Sequence, residues 1–391
     1  MPKLKKFICK YLPTWRNTVM IAVLLVSSAV VWHLNLMPES NIQPGSKEKA
    51  RVLTVDNSQI VDMGYVKQGS QNLEVEVLTG RFKGTRFRAA NELRAQMELD
   101  KIFVPGDIVL VGILNGSDPD SDTITAQDYY RIDYTLLLLS LFALLLLIFG
   151  GWTGFSALLS FVFSCLVIWK VVIPLCLQGY NALLITFLAV VLLSVVIILL
   201  VAGLTRKGFT ALAGSLLGVL ASCLTGWIFT ILFRINGAVM PYSQTLLHCW
   251  PVELSLSDIY IGAIFLSSSG AVMDLAMDVA SGIEEISLRR SNLPARELFR
   301  SGIRIGRSVV GTMTTTLLLA YSGGYLTLMM AFAAQGVMPI DFINNPHVAS
   351  ETVKTLVGSF GLVLVAPFTA MVGAWIFGKK AVQPDVVEKN E

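Results

Sequence analysis

Two carboxylates, Asp274 and Asp278, stand one helical turn apart inside an otherwise apolar run. An acid at the centre of a membrane helix costs about 2.5–3.5 kcal/mol on insertion scales, so by default it marks an ion path, a relay or a binding site. On a helix, Ser267, Ala271, Asp274, Asp278, Ser281 and Glu285 recur at spacings of three or four, which places them on one stripe. That stripe is expected to face other helices rather than lipid. Asp274 is the candidate coupling or ion-binding acid, with Asp278 as a second candidate. The bland alternative puts Asp274 only about a turn or two from the cytoplasmic end of the span, with Asp278 already wet.

Hydroxyls and glycines surround these acids. Ser267-Ser268-Ser269-Gly270 precedes Asp274, and Tyr321-Ser322-Gly323-Gly324 interrupts the following apolar segment. Paired breaks in neighbouring helices would expose backbone groups able to hold an ion or solute, which makes Ser268, Gly270 and Tyr321 candidates. Close packing between small residues explains the same pattern equally well. Thr312, Thr314, Thr315 and Thr316 add hydroxyls to the first half of that segment, and Thr312 and Thr315 join the ion or solute candidates. Glu351 falls in the loop before the last apolar run and is read as an outer gate balanced by Lys354.

Between the acids and the threonines, Arg296, Arg300, Arg304 and Arg307 recur at helical spacing. An amphipathic surface helix anchored on anionic headgroups is expected there. A gate joining Glu284 or Glu285 to Arg304 or Arg307 is a further hypothesis.

No enzyme constellation appears. His33, His248 and His347 lie in different segments, and GxSxG, HExxH and P-loop motifs are absent. No enzyme activity, cofactor or metal site is expected. The five cysteines form no CxxC pair; they read as small apolar residues, and a Cys176–Cys249 disulfide is open only if both lie outside. The net charge of +3 is spread over loops and argues neither for nor against nucleic acid; no nucleic-acid partner is expected.

The elements that position these residues follow from composition. Hydrophobic residues make up 54% of the chain and charged ones 15%, against about 25% charged in ordinary soluble domains, so a multi-span membrane protein is expected. A basic start (1–17) precedes a first span at 18–36. Residues 37–131 change character, with alternating runs ARVLTVD, LEVEVLTG, TRFRAA and DIVLVGIL broken by turn residues. They predict a small antiparallel β-barrel of OB-like type with one helical candidate at 92–99. Its Arg81, Phe82, Lys83, Arg86, Phe87 and Arg88 suit an anionic polymer, or simply form a solvated strand face. Residues 132–378 then hold seven further spans, at 134–149, 155–173, 182–204, 209–233, 258–277, 305–334 and 355–377, with a hairpin turn at 150–154 and a charged tail at 379–391.

Lys and Arg cluster in the N-terminus, at 206–207, at 289–307 and at 379–380, while loops 174–180 and 335–353 have none. The positive-inside rule then puts both termini in the cytoplasm of a cell-membrane protein and the β-domain outside.

The stretches GAVMDLAM (270–277), RSGIRIGRSVVGTMTTTLLLAYSGG (300–324) and NNPHVASETVKTLVGSFGLVLVAPFTA (344–370), with LTGRFKGTRFRAANEL (78–93) and the PGD at 105–107, resemble the YibE/F-like family of multi-pass membrane proteins. The resemblance implies family positions at Asp274, Glu285, Arg307, Thr312, Tyr321, Asn345, Glu351 and Pro367. Asp278 and Thr315 depart from the pattern, where a small polar residue and an asparagine are expected.

The combined expectation is an α-helical polytopic protein of about eight spans that transports or passes a small solute or ion. Its expected partners are membrane lipids, that solute and further copies in a homo-oligomer. The alternative is a non-transporting scaffold or sensor whose β-domain binds a polymer or protein.

Overall fold

A computed structural model of the chain describes residues 15–38, 45–114, 123–249, 252–290 and 293–378. The chain divides into two compact units, Glu39–Leu145 and a second made of Met1–Pro38 with Leu146–Glu391.

The first unit is built on a closed five-stranded barrel: β1 (Gly45–Asp62), β2 (Lys67–Val77), β3 (Arg86–Arg94), β4 (Ile108–Leu114) and β5 (Thr123–Tyr129), in the order β1-β2-β3-β5-β4. Closure leaves no free sheet edge. Alternation fills the interior with Val52, Leu73, Val75, Val77, Phe87, Val109, Val111 and Ile113, as a two-residue period requires. One pairing departs from the antiparallel expectation, since β3 and β5 run parallel. The helix expected at 92–99 is not formed. Residues to Arg94 continue β3, and the Asp100 carboxylate accepts from the Arg94 and Gln96 amides to close a turn instead.

A buried polar network ties the β3–β4 connection to the sheet. The Gln71 amide donates to Asn57 Oδ1 (2.8 Å) and to the Phe103 carbonyl (2.9 Å). Its oxygen accepts from Asn91 and from the Phe103 N–H, both at 3.0 Å. A fully buried amide is tolerable only when satisfied in this way.

The helices are α1 (Trp15–His33), α2 (Ile132–Val167), a π-helical turn (Ile168–Val172), α3 (Ile173–Leu177), α4 (Ala182–Ala202), α5 (Arg206–Leu232), α6 (Ser243–Cys249), α7 (Leu256–Arg289), α8 (Ala295–Gly324), α9 (Leu326–Ala334), α10 (Pro339–Asn344) and α11 (Pro346–Phe377). Among the described residues, five segments are long and apolar enough to cross a membrane, and six if α8 and α9 count as one bent span. Glycine at φ 52°, ψ −122° breaks α2 at Gly151, a conformation that side chains disfavour. The turn is so tight that a Cβ on Gly154 would overlap the Leu146 carbonyl.

Helix α7 is the central element, packed against α4, α5, α8 and α11. Its Ile264, Val272, Leu275, Ala276, Val279 and Ile283 enter the main core. Small residues set the helix spacing. A Cβ on Gly218 would lie 2.9 Å from Val272 and from Val365, and one on Gly302 would lie 2.8 Å from Ala370. Such close approach is how helices gain packing energy where lipid removes the hydrophobic drive. A second cluster joins Leu24, Phe163, Val167, Val172, Ala189 and Leu193. Cys176 and Cys249 are both free.

Several expected boundaries move. The span expected at 258–277 is part of one helix that continues to Arg289. The surface helix expected at 296–307 is not separate: it is the first half of α8. Leu298, Gly302 and Gly306 pack inward, while the row Arg296, Arg300, Arg304 and Arg307 is exposed.

Candidate functional site

The stripe through Asp274 is not enclosed by helices. Ser267, Gly270, Asp274, Asp278 and Glu285 are exposed, and the opposite side of α7 carries the core. The corrected reading has a simple cause: every third or fourth position is occupied twice on this helix, once by polar residues and once by the larger set of apolar residues, and the apolar set takes the packed face. Among the described residues neither acid forms an ion pair. Ser268 lies on the packed side, buried, its hydroxyl donating to the Phe265 carbonyl at 3.4 Å.

The break expected at 267–270 does not occur, and α7 is helical throughout. Its serines return their hydroxyls to their own helix, Ser267 to Ile264 at 3.0 Å and Ser269 to Leu266 at 2.9 Å. Thr312 and Thr315 are exposed and likewise bonded to the Val309 and Gly311 carbonyls. This back-bonding satisfies a hydroxyl inside an apolar segment without a ligand.

The charge gate is redistributed. Glu284 pairs with Lys207 of α5 at 3.6 Å, and Glu285 with Arg289 one turn on at 2.8 Å. Arg304 and Arg307 form no ion pair among the described residues. The acids find nearer cations than the arginines on α8.

The second expected break is real. After Gly323-Gly324 the chain turns by 61° between α8 and α9, with Tyr325 at φ −112°, ψ 12° between the two helices. Consecutive glycines weaken a helix and let it bend. A cavity of about 210 Å³ lies in the crook, lined by residues of α8, α9, α10 and α11 that include Tyr321, Ser322, Tyr325, Thr352 and Glu351.

Glu351 is not in a loop. Asn345 caps α11 by accepting from the His347 N–H at 3.0 Å, and Pro346 opens the first turn, as favoured at a helix start. Glu351 therefore sits on the second turn, its side chain 12% exposed, paired with Lys354 at 23%. Tyr325 lines the same cavity as Glu351. One residue earlier, the Ser350 carbonyl accepts from the buried Tyr260 hydroxyl of α7 at 2.6 Å. The structure thus brings Tyr321, Glu351 and Lys354 together and leaves Asp274, Asp278, Thr312 and Thr315 outside this cavity.

Sequence reasoning missed Tyr325 and Tyr260. The first carries a signal, since the residue following a Gly-Gly break is the one the bend presents. Nothing in the sequence marks Tyr260.

A family model described as YibE/F-like protein matches residues 138–379. The chain belongs to the YibE/F-like family. The matched segment takes in both the broken span and the Glu351–Lys354 pair and excludes the β-barrel. The YibE/F-like region thus contains every candidate residue from Ser268 to Lys354. No curated protein and no solved structure matches the chain significantly.

Proposed function

We propose that this YibE/F-like chain carries or passes a small solute or ion across the cell membrane, with the crook of the broken α8–α9 span as its binding site. One observation carries the reading: a largely buried carboxylate, Glu351, opens on a cavity at a helix break. Broken helices beside buried charges are how membrane bundles hold solutes at depth. The outer-gate role expected for Glu351 becomes that of a counter-charge at the site itself. Asp274 keeps a secondary role as an acid on the open side of α7.

Eight crossings are the proposed topology. The 46-residue segment Ile132–Leu177 is about twice the ~20 residues one crossing needs and is broken at Gly151. It supports two crossings. The bent α8–α9 pair and the shorter apolar helix Thr18–His33 supply one more each beside the remaining long helices. The distribution of Lys and Arg supports cytoplasmic termini and an outside barrel.

A specific observation also favours a ligand for the barrel. Thr54, Asp56, Asn72, Glu74, Arg86 and Arg88 line an open groove of about 810 Å³ across β1, β2 and β3. Its mixed charge suits a polar polymer or protein segment, which is the scaffold or sensor reading.

Flux driven by imposed pH and sodium gradients in proteoliposomes tests transport. Solute or ion movement above protein-free vesicles is expected. Full-length protein that moves no proton, sodium ion or organic cation would leave the barrel's ligand as the better reading.

A further inference from the structure

The walls of the cavity at the α8–α9 break are chemically one-sided. Leu318, Leu328, Met329, Phe342, Val348 and Leu356 supply an apolar body, and Glu351 is the one charged residue among the described residues lining it. Among the described residues, no Lys, Arg or His lines the space. Two of the hydroxyls there are committed to their own helices, Ser322 to the Leu319 carbonyl at 3.3 Å and Thr352 to the Val348 carbonyl at 2.8 Å.

An anion entering this space would meet a carboxylate. A bare metal ion would find one carboxylate and mostly carbon, whereas hard cations take six or more oxygens. Among the described residues no group of three or more His, Cys, Asp or Glu stands together to hold a metal. An ammonium on an apolar body fits both the charge and the walls, with the Tyr321 and Tyr325 rings as further partners for a cation.

The carboxylate already holds such a cation. The Lys354 ammonium, on the same face of α11 one turn away, is bonded to Glu351 Oε1. A tethered primary amine in that place does what a free organic amine would do. Tyr321 and Tyr325 line the space beside that carboxylate.

We propose that this cavity binds a small organic cation, an ammonium carried on an apolar body, with Glu351 as its counter-ion and Lys354 as the tethered cation it displaces. The assignment rests on this cavity being the solute site. At about 210 Å³ the space suits a ligand smaller than those held by pockets of roughly 300–1,000 Å³.

The test is calorimetric titration of full-length protein in detergent with phenethylammonium, its neutral isostere 2-phenylethanol, the anion 3-phenylpropionate, and sodium chloride. Saturable binding of the ammonium at least tenfold tighter than the neutral and anionic analogues is expected. Glu351→Gln should weaken it at least tenfold, and Lys354→Met should tighten it by removing the competitor. Equal affinity for the three aromatics overturns the proposal in wild-type protein alone, whatever the variants do. So does binding of sodium without the ammonium, or affinity unchanged in folded Glu351→Gln. Because no gradient is involved, an ammonium that binds but is not moved removes the transport reading only. Flux without ammonium binding removes the cation assignment only.

Discussion

At the scale of single residues, the polar groups divide into those whose neighbours satisfy them and those held where a ligand can replace a neighbour. Gln71 is of the first kind. It is fully buried, and four hydrogen bonds converge on its side chain. Gln71→Leu keeps much of the volume but strands the Phe103 N–H, at about 1–3 kcal/mol for each buried group left unpaired. Hydrogen exchange of full-length protein should show residues 101–104 losing protection while α7 is unchanged. Unaltered exchange there would mean that the network is not what fixes the connection.

Asp128 makes a pH-dependent contribution to the same barrel. Burial by itself pushes its carboxyl up, but bonds from Arg131, the Tyr129 amide and Lys101 outweigh this and hold it below the ordinary 3.8. The folded state thus favours the ionised form, so the stabilisation is present above pH 3.8 and is lost as pH falls through the lower folded value. The thermal advantage of wild type over Asp128→Asn should shrink as the buffer is taken from pH 6 to pH 3. An advantage that grows with acid would have the wrong sign. Glu351 is of the second kind: its partner is a lysine on a flexible stem, and it borders open space that Tyr321 and Tyr325 also line.

At the scale of elements, glycines report which helix faces are shut. A Cβ on Gly214 of α5 would come within 2.8 Å of the Thr369 Cα on α11, a backbone atom that cannot swing aside. Gly214→Ala should therefore force the two helices apart, costing about 1–3 kcal/mol. Gly270, on the open stripe of α7, has nothing within 4 Å of such a Cβ. There the same substitution should be neutral or gain up to about 1 kcal/mol of helix propensity. Thermal midpoints in detergent read the contrast directly. A Gly270→Ala variant destabilised as much as Gly214→Ala would mean that the α7 stripe is covered after all.

The same elements show what could be read from sequence. Strand alternation located the barrel because period two is unambiguous when one face is buried. Apolar runs located the spans, and Gly323-Gly324 the break between α8 and α9. Helix ends were harder. The run after Met277 turns polar, which reads as the end of a span, yet Val279, Ala280 and Ile283 still pack and the helix continues. Asn345-Pro346 was a legible helix start that moves Glu351 from a loop onto α11. Asp274 illustrates the opposite failure: periodicity put the polar residues on one stripe without saying whether that stripe packs inward.

At the scale of the whole molecule, a closed barrel with its own core and a helical unit centred on α7 are joined in one chain. The family match covers the helical part from residue 138 onward, which is where the proposed chemistry lies. Two acids compete for the central role, an exposed one on the central helix and a largely buried one at a broken span. Gradient-driven flux in proteoliposomes, comparing wild type with Glu351→Gln and Asp274→Asn at matched incorporation, separates them. The account predicts at least tenfold loss in Glu351→Gln and less than threefold loss in Asp274→Asn. Flux that survives Glu351→Gln and disappears in folded Asp274→Asn would contradict it and move the pathway to the open face of α7.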